Sequence, residues 1–206
     1  MSMRKCWVIV IVAMGYNCMG IAASASLQAS RIQSLLSSQD YEALIEDDET
    51  YVTTKLGKTP NPPFLETYQA GAAFTINAPV SVTRDILTRY EVYEKLIPFI
   101  DDIKVIEAPA KVAIEGGILG WKMLSLIQFH DKDPGWIHFV VTQGTFAGME
   151  GDFYFEAKRG HQNTSLVYFR VMQSDEHFPP RFIMESGANM ILRNTANKMR
   201  EYIESR

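Results

Sequence analysis

Three stretches of the chain alternate strictly between two kinds of side chain. Ile137, Phe139 and Val141 interleave with His138, Val140 and Thr142; Phe153 and Phe155 interleave with Asp152, Tyr154 and Glu156; Val167, Phe169 and Val171 interleave with Tyr168, Arg170 and Met172. A period of two belongs to a β-strand, so each stretch is predicted to present one mainly apolar face and one mixed face. Further strands are predicted over 51–56, 66–76, 102–107 and 120–129, and the three alternating ones over 136–143, 151–158 and 165–172. Short connections such as Asp133-Pro134-Gly135 and Arg159-Gly160 join neighbours, which implies an antiparallel meander.

Helical spacing occurs in three places. Residues 27–47 carry Leu27, Ile32, Leu35, Leu36, Tyr41, Leu44 and Ile45 at that spacing, broken at Ser37-Ser38-Gln39-Asp40, and predict a leading helical pair. Pro79 or Ser81 opens a short helix with Val82, Ile86 and Leu87 on one face, and 90–96 predicts a second. After Pro179-Pro180 one long element places Met184, Ala188, Ile191, Leu192, Thr195, Met199 and Tyr202 or Ile203 on a stripe. An apolar sheet face has to be covered, and this helix is the longest element available to cover it. The predicted class is α+β: a strand, two short helices, a long antiparallel sheet, then a long C-terminal helix packed on it.

The first residues change what is expected of the rest. Arg4 and Lys5 precede an apolar run from Cys6 to Met14, and Ala23-Ser24-Ala25 follows as a small-residue cleavage site. Residues 1–25 are therefore read as a signal peptide, 26–65 as a helical and strand extension, and 66–206 as the main domain. The alternative is an uncleaved N-terminal membrane anchor. Export implies a periplasmic or secreted location. Both cysteines, Cys6 and Cys18, fall in the segment expected to be removed, so no disulfide, thiolate metal site or cysteine nucleophile is expected. The formal charge of −4 becomes more negative once Arg4 and Lys5 are gone, and an acidic chain without a basic patch argues against nucleic-acid binding.

Several local motifs recur in the order of a known superfamily. Ile76-Asn77-Ala78-Pro79 leads from strand to helix; Leu87-Thr88-Arg89-Tyr90-Glu91-Val92-Tyr93 is closed by Leu96-Ile97-Pro98. Gly144-Thr145-Phe146, Gly151-Asp152-Phe153, Thr164-Ser165-Leu166-Val167-Tyr168 and Phe178-Pro179-Pro180 follow. Over 66–205, and more faintly over 51–56, the chain resembles the SRPBCC superfamily, which includes START lipid-transfer domains, polyketide cyclase-like proteins and coenzyme Q-binding proteins. Phe153 stands where many members carry Trp. The resemblance implies a helix-grip fold, a curved antiparallel sheet wrapped on the long helix, with a hydrophobic cavity between them. It does not imply one reaction, because this frame carries several functions.

The candidate ligand-binding residues are those that the alternation and the helical stripe aim into one space: Ile137, Phe139, Val141, Gln143, Phe153, Phe155, Phe169, Met184, Ala188, Ile191 and Leu192. Gln143, Thr145 and Ser125 are its candidate hydrogen-bonding groups. Asp152, Tyr154, Tyr168 and Arg170 read as a structural network on the outer face, and His130, beside Asp131 and Asp133, as part of a solvated hairpin rather than a metal ligand. No cofactor, metal or catalytic residue is expected. The expected partner is a hydrophobic small molecule or lipid, with transient membrane contact allowed. Two alternatives stay open: a cyclase- or hydrolase-type enzyme on an apolar substrate, and an interaction domain whose cavity is filled by its own side chains.

Overall fold

The computed structural model describes residues 30–62, 64–97, 99–108, 110–118, 121–175 and 187–206. Eight strands form one antiparallel sheet: β1 (Tyr51–Lys58), β2 (Glu66–Ile76), β3 (Ile100–Glu107), β4 (Lys111–Ile118), β5 (Trp121–Asp133), β6 (Trp136–Gly144), β7 (Glu150–Lys158) and β8 (His161–Asp175). Their order is β1-β2-β8-β7-β6-β5-β4-β3. Strands β3 to β8 are a meander, and β2 returns to pair with β8 from Glu66↔Asp175 to Ile76↔Ser165. The curved sheet with its short helices and C-terminal helix is the α+β helix-grip that the sequence predicts.

The described residues also form five helices: α1 (Arg31–Leu35), α2 (Ser38–Glu46), α3 (Val80–Leu87), α4 (Tyr93–Leu96) and α5 (Ala188–Glu204), with a 3-10 turn at Tyr90–Val92 just before α4. Chain order makes α3 and α4 a strap. The chain leaves β2, next to one edge of the sheet, and rejoins the sheet at the opposite edge as β3, so the segment between crosses the concave face. Ile86, Leu87 and Leu96 on that strap pack with Phe74, Ile137, Phe155 and Val167 from the sheet and with Ala196, Met199 and Ile203 from α5. Fully burying a side chain of the Ile or Phe class contributes about 1.5–3 kcal/mol, so this three-way packing is a main source of stability. Arg200 Nε donates to the Thr75 carbonyl at 2.9 Å, and Glu204 accepts from the Asn77 amide at 2.8 Å, fixing α5 along β2.

The opposite, convex face is also covered. Ile32 and Leu44 from α1 and α2 are fully buried and pack with Ala73, Tyr154, Leu166 and Tyr168. Ser30 caps α1 through Gln33 N at 3.1 Å and also bonds Glu156 on β7, whose other oxygen accepts from Ile32 N at 3.2 Å. A carboxylate at a helix start meets the unpaired amides there, which seats the helical pair on the sheet.

The main departures from the sequence-based expectation lie at β4 and at the ends of β5 and β8. Residues 111–118 form β4, where Glu115-Gly116-Gly117 interrupts the apolar pattern and hides the strand. Strand β5 continues through His130 to Asp133, and β8 starts at His161, so both histidines lie on strands at hairpin ends. The long helix is described from Ala188, while Pro179, Pro180 and Met184, like the N-terminal segment 1–25, fall outside the described residues.

Candidate functional site: an apolar cavity under the strap

Side chains on the concave face do not fill the space beneath the strap. The larger cavity, of about 300 Å³, lies between strands β3 to β8 and the strap, where Tyr90, Tyr93, Ile97 and Phe99 form its roof. A smaller one, of about 180 Å³, lies between β2, β8 and α5, with Ile191, Leu192, Thr195, Ala196 and Met199 on its helical side. Tyr93, Ile97, Phe99, Phe153 and Phe169 line both, so the two spaces adjoin.

Four phenylalanines from four adjacent strands make the floor. Phe153 and Phe169 have ring centroids 4.7 Å apart, Phe139 lies 5.9 Å from Phe153 and 6.0 Å from Phe169, and Phe129 lies 5.7 Å from Phe139. Those spacings suit offset and tilted aromatic contacts, which hold the floor in one arrangement. Gly151 is part of it. It pairs with Phe139, and a Cβ added there would stand 2.3 Å from Phe139 Cζ, so only glycine lets that ring lie against the strand.

The cavity walls carry little polarity. Among the described residues, the ionisable side chains around the larger space are Tyr90 and Tyr93. Burial, with a further push from Asp131 partly offset by Arg84, raises the Tyr90 hydroxyl to about 12; burial raises Tyr93 as well, and Tyr93 donates to the Leu87 carbonyl at 2.7 Å. Both phenols therefore stay neutral near pH 7. What the space can do is exclude water from an apolar molecule of small to moderate size.

The ionisable cluster sits on the other side of the same strands. Asp152 Oδ1 accepts from Trp136 Nε1 at 2.7 Å and faces His138 Nδ1 at 3.0 Å, while Oδ2 accepts from Arg170 Nε at 2.8 Å. Arg170 also donates to the Tyr154 hydroxyl at 3.0 Å. Burial alone would raise the Asp152 carboxyl, but the three donors and the Arg170 charge together hold it below the usual carboxylate range. Trp136, Tyr154 and Tyr168 stack in a row, and Arg31 from α1 lies over Trp136 and Tyr154. This arrangement ties β6, β7, β8 and α1 together and leaves the carboxylate saturated with donors.

At the level of sequence, no family model matches the chain, and no curated protein matches it either. Solved structures do. A START superfamily protein from Mycobacterium smegmatis matches with a TM-score of 0.56 at 15% identity, over 66% of this chain and 97% of that one. A protein from Thermus thermophilus matches at 0.53 and 14% identity, over 66% and 97% of the two chains. The Zhui aromatase/cyclase from a Streptomyces species matches at 0.51 and 15%, over 68% and 95%. The chain has the START-like fold. At these identities the likeness is one of architecture.

Within the START-like frame the predicted residues separate into groups. Phe139, Val141, Phe153 and Phe169 line the larger cavity, and Ile191 and Leu192, with Phe153 and Phe169 again, line the smaller. Ile137 and Phe155 are buried where α3 and α5 sit directly on the sheet, so packing leaves no space beside them. Ala188 packs at the start of α5 against the group around Tyr68, Phe139 and Val171. Gln143 turns away for a specific reason: an extra residue in β6 shifts the register, so that Val141 faces Ile127 but Gln143 faces Leu126, a residue of the convex face, and Gln143 is exposed. Thr145 is exposed in the next turn, its hydroxyl accepting from Leu124 N at 3.2 Å. Ser125 lies on the wall.

Apart from Ser125, sequence reasoning did not single out the strap or the β3–β5 half of the cavity. The signal was present: Tyr90, Tyr93 and Ile97 are spaced for one helical face, and Met123, Ser125, Ile127 and Phe129 alternate along β5.

Proposed function

We propose that the protein binds an apolar small molecule in the space between the sheet, the strap and α5, and shields or carries it without transforming it. The observation that carries this reading is an aromatic-floored cavity of about 300 Å³ whose ionisable wall groups, among the described residues, are two tyrosines held neutral. Burying about 400 Å² of apolar ligand surface contributes roughly 10 kcal/mol gross at ~25 cal/mol per Å². Association costs on the order of 4–15 kcal/mol. Useful affinity then needs few polar contacts, which matches the walls. Phe139, Val141, Phe153, Phe169, Ile191 and Leu192 are the proposed ligand contacts.

The likeness to an aromatase/cyclase raises an enzymatic alternative, which requires an acid or base within reach of the substrate. The described cluster with titratable partners, around Asp152, faces away from the cavity, and this favours binding over turnover. We also propose that residues 1–25 direct export, so that the carrier works outside the cytoplasm and exchanges its cargo at a membrane surface; intact-mass measurement of the exported protein, expected to begin near Ser26, tests this part.

Denaturing extraction of the purified protein, followed by mass spectrometry, is expected to release an apolar molecule. Titration with the neutral fluorophore N-phenyl-1-naphthylamine is expected to saturate on the folded protein. An unsaturable signal, together with an empty extract, would sink the proposal.

A further inference from the structure

The larger cavity has room for roughly ten waters at ~30 Å³ each, but a buried water needs two to four polar partners. Its described walls offer three polar side chains, Tyr90, Tyr93 and Ser125. The Tyr93 hydroxyl is engaged by the Leu87 carbonyl. Tyr90 lays its ring on Phe129 at 4.4 Å between centroids, and its hydroxyl is within the influence of the Arg84–Asp131 ion pair at the surface. Ser125 is placed differently. It follows the inward alternation of Met123, Ile127 and Phe129, it is 8% exposed, and its hydroxyl makes no hydrogen bond to another described residue. Its cross-strand partners are Gly144 on β6, which has no side chain, and Ile114 on β4, whose side chain is apolar, so neither offers one.

We infer that Ser125 is the polar anchor of this cavity and that the ligand is an apolar molecule bearing one hydroxyl or carbonyl oxygen, held toward β5. The inference rests on the proposed binding role of the cavity and names the ligand class for it. A pure hydrocarbon would leave the serine hydroxyl buried without a partner. A molecule with several polar groups would bury the others against Phe, Ile and Met, where nothing replaces their lost water. The serine thereby separates ligands that differ by one oxygen.

Two isosteric probes test this: 2-naphthol and 2-methylnaphthalene, titrated fluorimetrically into the parent protein and into Ser125→Ala. The substitution is expected to weaken 2-naphthol by about three- to tenfold, the worth of one neutral hydrogen bond, and to leave 2-methylnaphthalene within about twofold. Ser125→Thr, which keeps a hydroxyl, is expected to retain the parent's preference between the probes, and thermal unfolding checks that both variants are folded. Equal changes for the two probes would overturn the anchor while leaving the cavity proposal in place. If neither probe binds the parent, the cavity proposal fails and the anchor fails with it.

Discussion

The two faces of the central strands are built from adjacent residues, and they solve opposite problems. On the concave face Phe153 and Phe169 border space that no described side chain fills; on the convex face their neighbours Asp152, Tyr154, Tyr168 and Arg170 are packed under α1 and α2 or bonded to one another. A protein interior is normally filled to crystal-like density, so unfilled volume lined by a rigid aromatic floor is the unusual feature. The convex face holds the charged groups that usually draw attention, yet each has its partners there. Titratable residues alone point to the convex side of this sheet, whereas volume and wall chemistry point to the proposed site on the concave side.

The sharpest way to break that contrast is a pair of neighbouring substitutions. Phe153→Asp puts a charge between the two cavities and is expected to weaken N-phenyl-1-naphthylamine binding by more than about tenfold, with about 3–5 kcal/mol lost in urea unfolding. One residue away, Asp152→Ala strips the partner from Trp136, His138 and Arg170 and is expected to cost about 3 kcal/mol, while probe affinity per folded molecule stays within about twofold. Similar binding losses in the two variants would dissolve the distinction between the faces.

The same carboxylate gives the comparison a pH signature. Because the folded state holds the Asp152 carboxyl below its usual range, its contribution is complete above the unfolded value of ~3.9 and is lost as pH falls below that through the lower folded value. Stability of the parent should therefore drop more steeply below about pH 4 than that of Asp152→Asn, measured by urea midpoints across pH. Parallel curves would show that the donors do not favour the charged form.

A third substitution sharpens the convex side. Leu44 is fully buried under α2, and Leu44→Ala is expected to cost about 2–3 kcal/mol by leaving a void against Ala73, Tyr154, Leu166 and Tyr168. Probe affinity should not change, because α2 touches the sheet from the side away from the cavity. A weakened probe here would mean that the helical pair shapes the concave face through the sheet.

Much of this division was legible in the sequence, since period-two alternation sorts Phe153 from Asp152 and Phe169 from Arg170 without any tertiary information. The same rule misplaced Gln143, because the register shift between Leu126 and Ile127 depends on how β5 and β6 pair. Ile137 and Phe155 share the inward face with Phe139 and Phe153, but whether an inward residue meets another side chain or empty space depends on where the strap and α5 descend, which no local pattern records. The leading helices were readable as helices from Ile32, Leu36 and Leu44; their seat on the convex face is set by distant partners such as Glu156 and Tyr168. Ser125 was readable as a polar residue on an apolar strand face, and the missing partner across from it, Gly144, becomes evident only with the register.

The smallest expected effects concern the two histidines that face each other across β5 and β6. His130 and His138 are cross-strand partners with ring centroids 6.2 Å apart, but only His138 reaches Asp152. Replacing His138 with Ala removes one of three donors to a buried carboxylate, leaving Trp136 and Arg170 in place, and is expected to cost about 1 kcal/mol. His130 is exposed at the end of the row, and His130→Ala is expected to change stability by less than about 0.5 kcal/mol. Neither should move probe affinity by more than about twofold, because both rings lie on the convex face while the wall at this level is Phe129 and Phe139. The pair is a stringent control for that reason: the substitutions are adjacent in space, differ in stability through one identified hydrogen bond, and both leave binding alone. A change in probe affinity confined to His130→Ala, with unfolding unaffected, would place function on the convex face and reverse the assignment of the two sides.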